Sequence, residues 1–292
     1  MEAELTEPPD EPAPATGNAG QGMLHVVSTP IGHLGDITYR AVETLRAVAA
    51  VLAEDTRHTV TLLRRYDIRT PLVAYHEHNE ARTTPGLVAR LLAGESLALV
   101  SDAGTPLLSD PGARLVRAAI AAGVPVSPVP GASALLAALV ASGLALDRFT
   151  FVGFLARKGG ARRTAVDAIV ALRHAAVLYE APGRVGDTLR ELADAGAGDR
   201  AAVVARELTK QHEELRRGTV AALAAYYGDA PPRGEVVIVI DGASADAAAD
   251  ESVLRAHAVR LRAEGRSARD VAAALASELG APRNLAYKLA HE

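Results

Sequence analysis

The stretch Leu97–Gly112, LALVSDAGTPLLSDPG, decides how this chain is read. Leu97–Val100 has the length and apolarity of a buried strand, and Arg114–Ala122 has the apolar spacing of a helix. The loop between them, Ser101–Gly112, is built from Gly, Pro, Ser, Thr and Asp. Glycine lacks the Cβ that keeps a backbone away from a ligand. Asp110 before Pro111 reads as a helix start, with the carboxylate as N-cap and the proline at the first helical position. Any strand-to-helix connection carries capping residues. Two Ser-Asp pairs, two glycines and two prolines exceed that need and point to a ligand-facing loop.

Outward from this stretch, short apolar runs alternate with helical patterns from residue 23 to about 241. The predicted strands are Leu24–Val27, Val51–Ala53, Leu72–Ala74, Leu97–Val100, Val124–Ser127, Phe149–Val152, Val177–Tyr179, Ala202–Ala205 and Val236–Ile240. Helical patterns include Thr38–Val48, Thr84–Ala93, Ser133–Ser142, Arg162–Leu172 and Arg184–Ala193. Such alternation predicts an α/β architecture with largely parallel strands. The first strand also ends in a Gly/Pro loop, Thr29-Pro30-Ile31-Gly32, and ligands of open α/β sheets lie outside the carboxyl ends of strands.

Composition limits the function classes. The 292 residues are 49% hydrophobic yet hold no tryptophan and no cysteine, so Ala, Val and Leu must fill the cores, and disulfides and Cys-ligated metals are excluded. The formal charge of −4 argues against a globally basic nucleic-acid binder. Local patches remain: Arg148–Val166 carries Arg148, Arg157, Lys158, Arg162 and Arg163 with no acid, and the region from Val253 onward carries seven Lys/Arg against four acids. No apolar run is long enough to span a bilayer. Residues 1–22 lack the basic start and apolar centre of a signal peptide and read as a disordered acidic tail, so a cytoplasmic protein is expected. The predicted organisation continues with α/β domains at 23–130 and 131–242, hinged at Pro128–Gly131. A linker and helical appendage follow at 243–292, where Ser267–Asp270 resembles a capping box.

Several clusters invite chemistry. Glu54, Asp55 and Arg57 end a predicted strand and can hold a substrate or pair with each other in a helix cap. His76 and His78 have no third ligand nearby, which favours a polar loop, and no metal is expected. The basic loop Gly153–Arg163 suits phosphate contact or is a solvated loop. Glu180 and Glu207 follow two later strands, with Arg184 and Arg206 nearby. There is no G-x-x-x-x-G-K-[ST], no G-x-G-x-x-G after the first strand and no G-x-S-x-G, which disfavours Walker-type NTPases, nicotinamide dehydrogenases and α/β-hydrolases.

Taken in order, TPIGHLGDIT, AEDTRH, YHEHNE, SDAGTPLLSDPG, PGASALLAAL, GFLARKGGARR, YEAPGRV, ARELTKQHEE and RGEVVIVI resemble the ribosomal RNA small subunit methyltransferase I group of the tetrapyrrole (corrin/porphyrin) methylase superfamily. His33, Ala132 and Gly183 stand where that group usually has Asn, Pro and His. The resemblance implies two α/β domains with S-adenosylmethionine in a cleft between them, usually as a homodimer. It implies 2′-O-methylation of a cytidine in 16S ribosomal RNA near the decoding site, on naked RNA or the assembled subunit. Carried over, the cofactor lies against Pro30, Ile31 and Gly32, against Asp102, Ala103, Gly104, Thr105 and Pro106, and against Gly131, Ala132, Ser133 and Ala134. Tyr179 and Ala205 close over it from the second domain. Arg157, Lys158, Arg162 and Arg163 are the expected RNA contacts. The catalytic base is open among Glu54, Asp55, Glu180 and Glu207. Two alternatives remain: a methylase of a small tetrapyrrole, and a ribosome-assembly factor without catalysis.

Overall fold

A computed structural model describes residues 22–243 and 251–292. The acidic tail before Gly22 and most of the small-residue linker, 244–250, lie outside the described residues. Contacts divide the chain between Ala134 and Leu135 into two units.

In the first unit, strands β1 (Leu24–Val27), β2 (Ala50–Ala53), β3 (Leu72–Ala74), β4 (Leu97–Val100) and β5 (Val126–Val129) form one sheet in the order β3-β2-β4-β1-β5. Every pairing in it is parallel. The crossovers run through α1 (Tyr39–Ala47), α2 (Thr56–Arg65), α3 (Glu80–Leu92) and α4 (Ala113–Ala121). Alternate strand residues serve two cores, as period-2 geometry requires. Val27, Val51, Ala53, Ala98 and Val100 pack with Val42, Leu45 and Leu63, while Leu24, Leu52, Leu97 and Leu99 pack with Leu87, Leu91 and Leu115. Parallel strands also gather every strand-to-helix loop at one edge of the sheet.

The second unit departs from the expected parallel pattern. Its strands are β6 (Phe149–Phe154), β7 (Ala175–Glu180), β8 (Ala201–Arg206), β9 (Glu214–Thr219) and β10 (Val236–Ile240), ordered β6-β7-β10-β8-β9. Only β6 and β7 run parallel; the other pairs are antiparallel. Strand β9 is absent from the predicted set because ELRRGT carries three charges, as an edge strand facing water can. Helices α5 (Ala134–Ser142), α6 (Gly160–Ala171), α7 (Val185–Leu192) and α8 (Val220–Asp229) complete the α/β part of the chain, and α6–α8 share one core with the sheet. The appendage is α9 (Glu251–Ala263), α10 (Ala268–Glu278) and α11 (Arg283–His291), with an apolar core of its own. Ser267 caps α10, accepting from the Asp270 N–H at 3.2 Å. Among the described residues no helix is long and apolar enough to cross a membrane.

Three predicted boundaries move. β5 includes Pro128, part of the expected hinge, and tolerates it because β5 is an edge strand bonded to β1 alone. α3 begins at Glu80 rather than Thr84, with Pro85 inside it. Asp110 is not the N-cap of α4: the helix starts at Ala113 behind Gly112, whose φ is 125°. A Cβ there would lie 2.6 Å from Leu99 Cδ2 and 2.8 Å from Leu107 Cδ2. Gly112→Ala is therefore expected to cost about 1–3 kcal/mol by overpacking, on top of the unfavourable φ. Urea unfolding measures this, and an unchanged midpoint contradicts it.

Candidate functional site

β1 lies between β4 and β5, so their carboxyl ends are neighbours. The loops leaving them are stitched together. The Thr29 N–H donates to the Gly104 carbonyl at 2.9 Å, and the Gly104 N–H returns a bond to the Thr29 carbonyl at 3.0 Å. Thr29 Oγ1 donates to the Ser101 carbonyl at 3.3 Å. Ser28 Oγ donates to Thr105 Oγ1, which donates to the Ala132 carbonyl, each at 3.2 Å. These bonds bring Pro30–Gly32, Asp102–Pro106 and Gly131–Ala134 into one place. Approach is close enough to demand glycine: at Gly104, with φ 77°, a Cβ would meet Ile31 Cγ2 at 3.2 Å. Leu107 and Ser109 further along the loop also hold positive φ, a conformation costly for non-glycine residues.

Carboxylates gather beside these loops. Asp102 Oδ1 accepts from the Asp55 N–H at 2.9 Å, linking the ends of β4 and β2. Burial raises the Glu54 pKa, and the Asp102 charge raises it further. Asp110 is pushed up to about 6 by burial and by the charges of Glu54 and Asp102. Turned away from the helix it was expected to cap, Asp110 thus joins Glu54 and Asp102. Asp55 has the blander of its two roles. It caps α2 and binds the Arg57 side chain at 3.0 and 2.7 Å, which lowers its pKa to about 2. His76 and His78 occupy a turn in which the Asn79 side chain accepts from the His76 N–H. Among the described residues no cluster of three or more His, Cys, Asp or Glu is placed to hold a metal.

In the second unit, Glu180 is buried at the end of β7. Its oxygens accept from Arg184 Nε at 2.7 Å, the Ala181 N–H at 2.8 Å and Thr188 Oγ1 at 2.6 Å. Thr188 also accepts from Arg162 at 2.9 Å, and Arg162 binds Glu191 at 2.8 Å and the Ala156 carbonyl at 3.2 Å. Arg162, only 6% exposed, is thereby removed from the expected RNA contacts, because its guanidinium is spent inside the domain. Arg157, Lys158 and Arg163 are exposed, make no ion pair among the described residues, and border a recess of about 520 Å³ beside the start of α6. Glu207 adopts a φ of 50° and binds Lys210 at 3.0 Å, which holds its pKa down. The Ala205 side chain is sealed in the sheet. Tyr179 packs edge-on against Phe151, with ring centroids 5.0 Å apart, and lies 5.6 Å from Phe154, which is 57% exposed.

Asp110 and Phe154 were not singled out as site residues from sequence. Asp110 is disguised by the Pro that follows it, and Phe154 by the basic residues of the loop in which the sequence places it.

Comparison with known proteins identifies the fold and the family. A family model described as Tetrapyrrole (Corrin/Porphyrin) Methylases matches residues 23–224. The crystal structure of uroporphyrin-III C-methyltransferase from Thermus thermophilus, complexed with S-adenosyl homocysteine, shares the fold. Its TM-score is 0.56 at 20% identity, over 75% of this chain and 97% of that one. Among curated proteins, ribosomal RNA small subunit methyltransferase I of Synechocystis sp. is 46% identical over 93% of this chain and 98% of its own. The protein of the same name from Xylella fastidiosa is 48% identical over 91% and 98%. The chain belongs to the tetrapyrrole methylase family, in the branch whose curated members are called ribosomal RNA small subunit methyltransferase I.

The raised pKa of Asp110 has a sign that can be measured. An acid whose folded pKa exceeds its unfolded value loses stability as pH rises between the two, here from about 3.8 to about 6. Asp110→Asn, which copies the neutral form, is expected to stabilise the protein at pH 7. That gain should shrink toward zero as the pH is lowered through 6 toward 4. Denaturant unfolding across this range checks it, and a pH-independent difference contradicts it.

Proposed function

We propose that the chain transfers the methyl group of S-adenosylmethionine to the ribose 2′-hydroxyl of a cytidine in 16S ribosomal RNA near the decoding site. The observation that carries this reading is the stitched triple of loops at the carboxyl edge of the first sheet, with carboxylates beside it. The residues fit the cofactor. Gly32 and Gly131 are exposed, Gly131 so close to Ser28 that a Cβ would lie 3.0 Å from the Ser28 Cβ. Asp102 keeps one carboxylate oxygen free of protein hydrogen bonds among the described residues. Unpaired acids suit a ligand bearing a sulfonium and an ammonium. When bound, S-adenosylmethionine supplies an electrophilic methyl group on sulfur.

The chain's own part is to align and to accept a proton. Holding a hydroxyl in line with the methyl can lower the barrier by about 7–11 kcal/mol. Glu54 is the proposed base, taking the 2′-hydroxyl proton as the ribose oxygen is methylated. Its raised pKa makes it a better proton acceptor than an ordinary carboxylate. Asp55 and Glu207 are each held by a cation, which favours the charged, weakly basic form, and Glu180 spends its oxygens on Arg184, the Ala181 N–H and Thr188. For RNA, Arg157, Lys158 and Arg163 offer charge at the start of α6, where helix N–H groups favour phosphate. The exposed Phe154 ring offers a surface for a base. The same reading makes the protein a cytoplasmic homodimer acting on ribosomal RNA or the small subunit.

The test is to incubate the protein with methyl-labelled S-adenosylmethionine and either small subunits lacking the modification or a tetrapyrrole, then digest the RNA to nucleosides. Label is expected in 2′-O-methylcytidine. Label in the tetrapyrrole, or in neither substrate, contradicts the proposal. Glu54→Gln should lower turnover by about 10²–10⁴-fold while cofactor affinity persists. The wild-type rate should rise with pH through a pKa above the usual carboxylate value.

A further inference from the structure

A second recess, with a volume of about 230 Å³, lies in the second unit at the end of the sheet where β8 leaves and β9 enters. Arg206 and Glu214 are directly opposed in the antiparallel ladder, and Arg216 follows Glu214 at a spacing of two. All three therefore project from one face. Glu214 Oε2 accepts from Arg206 Nε at 2.7 Å, and Glu214 Oε1 accepts from Arg216 Nε at 3.0 Å and its terminal nitrogen at 2.7 Å. The Arg216 guanidinium is also stacked on Tyr226, 3.7 Å from the ring centroid, which fixes its plane. Across the recess Arg233 is exposed and has no ion pair or hydrogen bond among the described residues. Arg206 and Arg216 thus share one carboxylate, and Arg206 and Arg233 both line the recess. A guanidinium has five N–H donors, and Glu214 occupies one from Arg206 and two from Arg216.

Tyr227 gives independent support. It lines the recess and is 3% exposed, and its buried hydroxyl has no hydrogen-bond partner. The neighbouring Arg216 guanidinium acts on the phenol oxygen as a charge and as a donor, at a geometry short of a regular hydrogen bond. Because a guanidinium cannot accept, the Tyr227 O–H is left without an acceptor. A buried hydroxyl without a partner costs about 1–3 kcal/mol, so native structures rarely keep one unless something else completes it. Cationic donors in excess, one neutral donor and a concave surface define an oxyanion receptor. Its volume is below the ~300–1,000 Å³ of pockets that enclose whole small ligands, so it suits a single group.

We propose that this recess is a phosphoryl-binding subsite that takes one backbone phosphate of the RNA substrate. Arg206 and Arg233, which line it, supply the countercharge, and the Tyr227 hydroxyl donates to a phosphate oxygen. The RNA as source rests on the function proposed above; the affinity for a phosphoryl group does not.

Two arms, both on the full chain, test the proposal. In the first, affinity for a small-subunit RNA fragment is measured against salt concentration. Arg233→Ala should weaken binding and reduce the slope of log affinity against log salt by about 0.7–0.9, the loss of one phosphate contact. Tyr227→Phe keeps the packed ring and should weaken binding about 2- to 10-fold with the slope unchanged. In the second arm, inorganic phosphate is titrated while the tyrosine ring resonances are followed. They should move in the wild type and stay fixed in Arg233→Ala. A response to phosphate with an unchanged RNA slope overturns the RNA source and leaves a free phosphate compound as the ligand. No response in either arm overturns the subsite. Should the wild type bind no RNA, the proposed function fails, and the phosphate arm still decides the recess.

Discussion

The reciprocal backbone pair between Thr29 and Gly104 is the constraint on which the rest of the first unit depends. Two hydrogen bonds of this kind contribute only about 1–3 kcal/mol net, so their importance is positional. They act after β1 and β4 have ended, where nothing in the sheet itself would keep the departing loops together. With them in place, Thr29 Oγ1 reaches Ser101, and Ser28 reaches Thr105 and through it Ala132. The loops leaving the sheet thereby take a shape set by backbone. The glycine at 104 follows from this, since its φ of 77° disfavours any side chain and a Cβ would press on Ile31 Cγ2 at 3.2 Å.

The second unit solves a different problem with buried charge. Glu180, Arg184, Thr188 and Arg162 satisfy one another and two backbone carbonyls, at Leu155 and Ala156, where the basic loop begins. Burying ions is costly, and such a network contributes little stability beyond what an apolar core would provide. Its effect is to fix where the loop starts. Arg157, Lys158 and Arg163 are thereby presented to solvent from a rigid base, while Arg162, in the middle of the same sequence run, is turned inward. A basic patch in sequence is therefore not one patch in space.

The apolar strands are legible because each is a short, predominantly apolar run, whether parallel like β4 or antiparallel like β10. β1, β3, β4 and β10 fall on the residues their sequences predict. β9 is not, since its charges belong to a sheet edge that only the topology defines. The same limit applies to the sites. The loop segments were visible as Gly/Pro-rich strand ends, but nothing local tells Asp110 from a helix cap, or Glu54 from its ion-paired neighbour Asp55. What separates them is the company of Asp102, brought near by β4 lying beside β2. The recess around Tyr227 has no local sequence signature for a related reason, as its arginines come from β8 and the turn before β10, which lie apart in sequence.

The central claim is that the loops joined through Thr29 and Gly104 hold the methyl donor. Calorimetric titration of S-adenosylmethionine into Gly104→Val measures this most directly, with far-UV circular dichroism confirming that the variant is folded. A branched side chain at that φ, against Ile31, should push the loops apart and lower affinity at least about tenfold, equivalent to 1.4 kcal/mol. Wild-type affinity in a folded Gly104→Val protein would contradict the account.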